Sequence, residues 1–252
     1  MVTKRPQTFV YPWHPSSQGG ARLAGAMKVG LFNRDYHSFG ANAKYVLFNW
    51  GFTSDIKLGE NIRILNEPKK LREAGKTSVF FKKAEKVANV PPYTESIAEA
   101  ISWLREGNEV LAKGRGGEWV TFDTDPLSFV ESGFFTQYKK KSGEFLVHVV
   151  AGAVIGIERL VPQQTDDKDA VFNHRFRTRE NGFIPEAIDV WPESIGEAAP
   201  RIVEALGLDF GCVHFLWNNV TKKSYALGFD GIPILSEELA KEYATALKDF
   251  TT

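Results

Sequence analysis

Cysteine is almost absent from this sequence, since Cys212 is the single one among 252 residues. A disulfide framework within the chain and a metal cluster built from cysteines are therefore excluded, and one cysteine suits a reducing cytoplasm. Long apolar runs are also lacking: no stretch approaches the roughly 20 residues that span a bilayer. The N-terminal MVTKRPQTFVYPWHP has no apolar core of the signal-peptide kind. We therefore expect a cytoplasmic protein without a membrane segment.

Charge of one sign is not in excess either, because 31 Lys and Arg are balanced by 31 Asp and Glu. This balance disfavours a dedicated binder of nucleic acid or of membrane surfaces, although local basic patches remain compatible with it. Hydrophobic residues make up 43% and charged residues 25% of the chain, as in ordinary soluble globular proteins. The length suits one large domain or two to three small ones.

The first 90 residues predict short strands and helices. Two apolar runs rich in Val, Phe and Tyr, AMKVGLF (26–32) and KYVLFNWG (44–51), are typical of strands. The segment SSQGGARLAGAM (16–27) predicts a helix that starts weakly at Ser16 or Ser17. A brief helix is predicted where Pro68 opens and Gly75 ends NEPKKLREAGK, and TSVFFKKAEKVA (77–88) predicts another.

The signals after Pro91 and Pro92 are clearer. Ser96 and Glu99 fit the S-x-x-E capping box, and the apolar spacing that follows predicts a helix up to Gly107. EVLAK (109–113) and EWVTF (118–122) then predict a β-hairpin whose tip is the glycine-rich GRGG (114–117).

The second half predicts a sheet with flanking helices. Residues 134–160 predict a strand, a basic turn and a long pair of apolar strands that turns at Gly152. Residues 161–181 predict an ordered, irregular polar loop. PESIGEAAPRIVEALGLDFG (192–211) predicts a helix ending at Gly207, in which Pro200 indicates a kink or a late start. CVHFLW (212–217) and SYALGF (224–229) predict two strands, and 236–250 a capped amphipathic helix.

These segments, in this order, resemble the ATP-grasp superfamily and most closely a set of small ATP-grasp proteins common in bacteriophage genomes. The resemblance covers essentially the whole chain, and its most specific part is ALGLDFGCVHFLWN. The stretches that carry it are YPWHPSSQGGARLAGAM (11–27), ILNEPKKLREAGKTSVFF (64–81), VPPYTES (90–96), EVLAKGRGGEW (109–119), TQYKKKSGEFLVHVVAGAVIG (136–156), FRTRENGF (176–183) and ALGLDFGCVHFLWN (205–218).

The resemblance implies an α/β (α+β) ATP-grasp fold in which two α+β subdomains clamp a nucleotide cleft. It implies a small N-terminal α/β domain at 1–66, a lid subdomain at 67–133 and a C-terminal subdomain with a central antiparallel sheet at 134–252. The implied activity joins a carboxylate to an amine or thiol through an acylphosphate. The substrates would be small molecules or peptides, a protein partner is an alternative, and a phage protein would act in the host cytoplasm.

The resemblance also implies where ATP and Mg²⁺, or Mn²⁺, would bind. Cations over the phosphates, backbone donors from a glycine loop and hard oxygen ligands for the metal are the groups that a nucleoside triphosphate needs. The implied nucleotide contacts are Lys76, Lys113, Gly114, Gly116, Gly117, Gln137, Tyr138 and Glu144; the implied catalytic arginines are Arg159 and Arg177; the implied metal ligands are His214 and Asp230.

The sequence departs from the family pattern at the metal and arginine positions. Leu146 stands where the family usually has an arginine, His214 stands at the first acidic metal position, and Gly228-Phe229-Asp230 replaces the usual Glu-x-Asn pair. Asp230 is then the one expected carboxylate left, although Glu144 and Glu158 flank the central hairpin and could substitute. Nucleotide binding is expected to survive these changes better than phosphoryl transfer.

Two hypotheses follow, a working ligase and a catalytically degenerate ATP-grasp fold that serves as a phage structural or host-interaction protein. Each site residue also has an ordinary interpretation. Lys76 is one lysine in a lysine-rich surface segment, the GRGG glycines suit a hairpin turn, and Asp230 suits an Asp-Gly turn. The basic residues in or beside the polar loop suit surface ion pairs with the acids of the loop, namely Arg159, Arg175, Arg177 and Arg179 with Asp166, Asp167 and Asp169.

The histidines and tryptophans have ordinary interpretations too. His148 lies mid-strand and is interpreted as a packed residue rather than a base. The imidazole of His214 suits zinc or manganese better than magnesium. The tryptophans are interpreted as core and interface residues.

Overall fold

The structure, a computed structural model, describes residues 6–33, 39, 43–56, 59–114, 119–122, 133–164 and 172–251. The predicted loop glycines Gly116 and Gly117 lie outside the described residues. So do the predicted ion-pair partners Asp166, Asp167 and Asp169. The described chain forms three β-sheets with α-helices packed against them. None of the described helices has both the length and the apolar character needed to cross a membrane.

The first sheet is parallel, with the strand order β2-β1-β3-β4. Its central strand β3 is buried along its whole length, as expected for a parallel strand covered on both faces. Helix α1 begins at Ser17, whose side chain accepts a hydrogen bond from Gly20 N at 3.2 Å. The elements are β1 Gln7–Pro12, α1 Gln18–Met27, β2 Gly30–Leu31, β3 Tyr45–Trp50 and β4 Ile62–Leu65.

The strand predicted at 26–32 is two residues long in the structure. Helix α1 extends to Met27, and Lys28 ends it in the left-handed conformation with a φ of 57°, so β2 starts at Gly30. Strands β1 and β4 belong to segments for which no strand was predicted.

The second sheet is antiparallel, with the strand order β5-β8-β6-β7. The predicted hairpin corresponds to β6 and β7, in which Lys113 lies opposite Trp119. Ser96 caps α4 by accepting a hydrogen bond from Glu99 N at 3.4 Å. The elements of this part of the chain are α2 Pro68–Ala74, α3 Thr77–Ala84, β5 Tyr93–Thr94, α4 Ile97–Arg105, β6 Val110–Lys113, β7 Trp119–Phe122 and β8 Phe135–Gln137.

The third sheet is antiparallel, with the strand order β11-β10-β9-β12-β13. Strands β9 and β10 turn at Ala151 and Gly152, whose φ angles are 51° and 78°, as predicted for a pivot at the glycine. Pro200 lies inside α5 without ending it. The elements are β9 Gly143–Val150, β10 Ala153–Pro162, a 3-10 turn at Arg179–Asn181, β11 Phe183–Ala187, α5 Glu193–Leu206, β12 Phe210–Asn218, β13 Lys223–Asp230, α6 Glu237–Leu247 and a 3-10 turn at Lys248–Thr251.

Alternation along the third sheet separates a core face from a polar face. Val147 and Val149 of β9 and Val213 of β12 pack into a hydrophobic core with helices α2, α3 and α5. A second core joins α1 and α6 to the first sheet and to Val150 and Phe210 at the end of the third. The division into domains at 1–66, 67–133 and 134–252 stays a prediction, and β8 pairs within the second sheet although its residues follow the predicted boundary.

A buried asparagine joins the first sheet to the third. Asn66 follows β4 with a left-handed φ of 57°, and its side chain is fully buried. Its Oδ1 accepts hydrogen bonds from Asp209 N at 2.8 Å and Phe210 N at 3.2 Å, while its Nδ2 donates to Phe210 O at 2.9 Å. Asn49 of β3 donates to Asn66 O at 2.7 Å. The start of β12 is therefore held in place by Asn66, the residue that follows the last strand of the parallel sheet.

We predict that Asn66→Gly lowers the free energy of unfolding by about 3 kcal/mol, because it leaves buried backbone groups at 209 and 210 without partners. Glycine keeps the positive φ available, so the loss reports the side-chain hydrogen bonds. Urea denaturation measures the effect. The exposed Asn89→Gly is the control for the added flexibility of glycine, and equal losses in the two variants would contradict the role given to Asn66.

Candidate functional site

The polar face of the third sheet is the floor of a cleft of about 940 Å³. Glu144, Leu146 and His148 alternate along β9, and Cys212 and His214 occupy the matching positions on β12. The pairing of His214 with Leu146 and of Cys212 with His148 brings these side chains next to each other. The sheet register therefore assembles polar groups that are far apart in sequence.

The walls come from the second sheet and from the residues after it. Lys113 at the end of β6 lines the cleft, and its Nζ lies 4.6 Å from the ring centroid of Trp119. Gln137 at the end of β8 and Tyr138 after it also line the cleft. Lys113 further contributes to a smaller neighbouring cavity of about 430 Å³, which Gly114 also lines.

Among the described residues that line this cleft, cationic side chains outnumber acidic ones seven to four, although the whole chain has no net charge. An excess of one sign in a cleft attracts ligands of the opposite sign. The cleft is therefore suited to an anionic ligand. The cationic members are Arg22, Lys113, Lys139, Lys141, Arg175, Arg177 and Arg179, and the acidic members are Glu144, Glu158, Glu180 and Asp230.

Glu144 lies on the cleft floor and connects two neighbouring polar side chains. Its carboxylate forms an ion pair with Lys141 and accepts a hydrogen bond from His214 Nε2 at 2.9 Å, and both Lys141 and Glu144 are less than a tenth exposed. Burial by itself would raise the pKa of Glu144, but His214 and Lys141 outweigh burial and hold that pKa below its ordinary value. Burial lowers the pKa of Lys141, and Glu144 offsets this shift in part.

The basic segment, residues 172–182, forms one side of the cleft. Lys141 Nζ donates to Arg175 O at 2.7 Å, and Arg175 Nη2 donates to Glu109 Oε2 at 2.8 Å. The guanidinium of Arg175 lies 4.7 Å from the centroid of the Tyr138 ring, and that of Arg177 lies 5.7 Å from the Phe183 ring. In the described structure, the buried Nε atoms of Arg175 and Arg177 have no hydrogen-bond partner. Two cationic residues that line the cleft thus each carry one unsatisfied buried donor.

Asp230 lines the cleft and also shapes a turn. It pairs with Cys212 on β12, and its Oδ1 accepts a hydrogen bond from Ile232 N at 2.8 Å. Although the Asp230 side chain is exposed to the open cleft, desolvation by the surrounding protein raises its pKa, and the Ile232 N–H with the nearby His148 and His214 opposes the shift without cancelling it. Gly228, which the sequence resemblance places at a glutamate position, lies opposite His214.

His148 belongs to a buried polar network beneath the cleft. Its Nδ1 lies 3.1 Å from Tyr243 Oη and its Nε2 3.1 Å from Glu158 Oε2. Cys212 Sγ lies 3.9 Å from the same Nε2, and burial raises the pKa of the Cys212 thiol well above its ordinary value. The thiol is therefore poorly suited to act as a nucleophile. Both ring nitrogens of His148 contact protein groups, as expected for a packed histidine.

The structure brings most of the predicted site residues together. Lining the cleft are Lys113, Gln137, Tyr138, Glu144, Arg177, His214 and Asp230. Gly114 lines the smaller cavity beside Lys113, together with Thr77 and Ser78, which directly follow Lys76.

Among the described residues, two predicted ones line neither the cleft nor the smaller cavity. Lys76 is exposed at the position before α3. Arg159 is exposed on the opposite face of β10 from Glu158 and Leu160, and its Nη2 lies 3.5 Å from Ser142 O. The predicted contacts of Lys76 and Arg159 with phosphate therefore have no geometric support in this structure.

Lys141 and Arg175 were not among the predicted nucleotide-binding or catalytic residues. Lys141 is the last lysine of the run KKK (139–141), and its burial depends on Glu144 three residues later. Strand alternation offered the signal that was missed: if β10 places Glu158 on the cleft face, Arg159 must lie on the other face.

The chain was compared with known proteins by sequence and by structure. Neither a protein-family model nor a curated protein matches the sequence. Solved structures do match over nearly the whole chain, and three of them illustrate the range. One is the ATP-grasp ligase PsnB complexed with minimal precursor, Mg and ADP, with a TM-score of 0.72, 11% identity and coverage of 100% of both chains.

The second is a RiPP-associated ATP-grasp ligase from Chryseobacterium gregarium in complex with ADP and a leader and core peptide, with a TM-score of 0.70, 13% identity and 98% of each chain covered. The third is D-alanine–D-alanine ligase from Bacillus anthracis complexed with ATP, with a TM-score of 0.66, 11% identity and 98% and 97% of the two chains covered. At these identities the likeness establishes the fold. The α/β fold of ATP-grasp ligases is thus confirmed for this chain.

We predict that Asp230→Asn stabilises the unliganded protein near neutral pH. A raised pKa means that the folded state binds this proton more tightly than the unfolded chain does. The bound proton therefore stabilises the folded state fully below the ordinary aspartate pKa, and this stabilisation is lost as pH rises through the folded-state pKa. Asparagine keeps an oxygen that can accept from Ile232 N. The melting temperature of Asp230→Asn should exceed that of the native chain at about pH 7, and by less at about pH 4.

Asp189→Asn, at an exposed position, is the control for removal of one negative charge. An Asp230→Asn variant that melts at or below the native temperature at neutral pH would contradict the raised pKa assigned to this carboxylate.

Proposed function

We propose that this chain is an ATP-dependent ligase that binds the nucleotide in the cleft and joins a carboxylate to an amine or thiol through an acylphosphate. The observation that carries the proposal is the cationic cleft between the second and third sheets, in a chain whose fold matches ATP-grasp ligases from end to end. The fold alone would not support a function, whereas a cleft with suitable chemistry does.

The adenine is assigned to Gln137 and Tyr138, which link the second sheet to the third. The phosphates are assigned to Lys113 on the second sheet and to Arg177 of the basic segment. Guanidinium and ammonium groups are the usual partners of phosphate oxygens. Catalysis in such a site consists mainly of positioning the reactants and neutralising charge.

The reaction proceeds in two steps. A carboxylate oxygen attacks the γ-phosphorus of ATP, the bond to the β,γ-bridging oxygen breaks, and ADP leaves. An amine or thiol then attacks the acyl carbon, loses its proton, and expels inorganic phosphate. The cleft cations offset the charge that develops on the transferred phosphoryl group and on ADP.

We infer that the carboxylate donor is a peptide or a small acid. PsnB was solved with a precursor peptide and the Chryseobacterium ligase with a leader and core peptide, and D-alanine–D-alanine ligase takes its name from a small amino acid. The excess of positive charge along the cleft suits the carboxylate of either donor. Magnesium or manganese is implied by the fold for this activity.

A second candidate function is a catalytically degenerate member of the fold that binds a nucleotide or a protein without turnover. The observation that favours it is the replacement of family functional groups in the cleft, where Leu146 and Gly228 offer no charged side chain. The likeness of the sequence to small phage-encoded ATP-grasp proteins belongs with this candidate, in which the chain serves in phage structure or contacts a host factor in the host cytoplasm.

We predict that Lys113→Met weakens ATP binding about tenfold or more, because it removes a charged donor that faces the cleft. Isothermal titration calorimetry of the full chain with ATP measures the loss. Lys69→Met on the exposed face of α2 is the control and should bind like the native chain.

Turnover separates the two candidates. With ATP, Mg²⁺, hydroxylamine and a mixture of peptides rich in Asp and Glu, a ligase forms hydroxamate and releases ADP in equal amounts. ATP binding without hydroxamate or ADP favours the degenerate member. No heat with millimolar ATP, with or without Mg²⁺, contradicts both nucleotide-binding proposals.

A further inference from the structure

The fold implies a divalent cation beside the nucleotide, but the cleft residues do not fit one. Among the described residues there is no group of three or more His, Cys, Asp or Glu side chains placed to hold a metal ion. Magnesium takes hard oxygen ligands and usually one or two carboxylates besides phosphate oxygens. The availability of cleft carboxylates therefore decides whether an ion can be held.

Two of the four described cleft carboxylates already have side-chain partners. Glu144 pairs with Lys141 and His214, and Glu158 Oε2 lies 3.1 Å from His148 Nε2. His214 contacts Glu144 through Nε2. A metal ion at Glu144 or His214 would have to displace these contacts.

The other two described acidic residues of the cleft, Glu180 and Asp230, do not complete a set of metal ligands. Glu180 lies on an exposed 3-10 turn, and Asp230 accepts the Ile232 N–H. Gly228 offers no side chain opposite His214. In the part of the chain that the structure describes, one carboxylate, that of Asp230, is left at the floor for an ion that normally bridges protein carboxylates to phosphates.

The same cleft contains fixed cations with unused donors. The ammonium of Lys141 has three N–H groups, of which Arg175 O and Glu144 take two. The Nε atoms of Arg175 and Arg177 are buried without a hydrogen-bond partner in the described structure. An unsatisfied buried donor is costly, and the guanidinium groups that carry these donors belong to residues lining the cleft, where a phosphate would be their natural partner.

These three cations lie within electrostatic reach of one another. Burial is the main cause of the lowered pKa of Lys141, and the charges of Arg177 and Arg175 lower it further. Such a cluster repels itself when the cleft holds no anion, and a polyphosphate relieves the repulsion. The arrangement matches a ligand with several adjacent anionic groups.

We propose that Lys141, Arg175 and Arg177 hold the nucleotide triphosphate in place of a metal ion, so that nucleotide binding to this cleft needs no divalent cation. The inference rests on the proposed function in that it places the nucleotide in the same cleft. It adds that the fixed cations, rather than a carboxylate-bound ion, set the affinity for the phosphates.

The test is isothermal titration calorimetry of the full chain with ATP and with inorganic tripolyphosphate, in EDTA and in Mg²⁺. Both ligands should bind in EDTA, with affinities within about threefold of those in Mg²⁺, a difference of less than 1 kcal/mol. Asp230→Asn should bind ATP in EDTA as well as or better than the native chain does, because it removes a negative charge from the cleft.

Arg177→Gln should weaken both ligands in EDTA about tenfold or more, since it removes a charged donor. Arg177→Lys keeps the charge and should lose less than Arg177→Gln. Arg201→Gln on the exposed face of α5 is the matched control. Thermal melts confirm that each variant is folded.

The outcomes separate this inference from the proposed function. ATP that binds in Mg²⁺ alone, and loses that binding in Asp230→Asn, overturns the metal-free site and leaves the ligase proposal standing. Tripolyphosphate that binds in EDTA while ATP does not bind in either buffer supports the anion site and contradicts the nucleotide proposal. An Arg177→Gln variant with native affinities overturns the role given to the basic segment.

Discussion

The contact of the buried Glu144 carboxylate with Lys141 and His214 is the interaction on which the cleft depends. Glu144 lies on β9, His214 on β12 and Lys141 on the segment that connects the second sheet to the third. A buried carboxylate is costly unless its partners satisfy it, and the removal of one partner of such a group is strongly destabilising. The position of the cleft wall is thereby tied to the register of the central strands.

The effect of this contact extends to the basic segment. Lys141 donates to Arg175 O in a part-buried hydrogen bond, and this contact places the Arg175 guanidinium over Tyr138. The Arg175–Glu109 pair also connects the segment to the residue before β6, but exposed ion pairs contribute little by themselves. The cationic character of the cleft thus follows from one buried acid that fixes a lysine, which in turn fixes an arginine.

Local signals predicted much of the fold. The Ser96 cap, the end of α5 at Gly207 and the β9–β10 turn at Gly152 depend on neighbouring residues, and the structure contains all three. The role of Asn66 could not be predicted, because it depends on contacts with residues more than 140 positions away. The site could be predicted only in part, because it too depends on contacts between segments that are distant in sequence. The family resemblance indicated Arg159, whereas the pairing of β9 with β10 decides which residues face the cleft.

The central claim is that a nucleotide lies against the Glu144 floor and the basic segment. Hydrogen–deuterium exchange of the full chain, with and without saturating ATP, tests it most directly. The account predicts slower exchange with ATP in peptides that cover 137–144 and 172–182, and unchanged exchange in α5. Unchanged exchange in both cleft peptides, or protection confined to other parts of the chain, would contradict it.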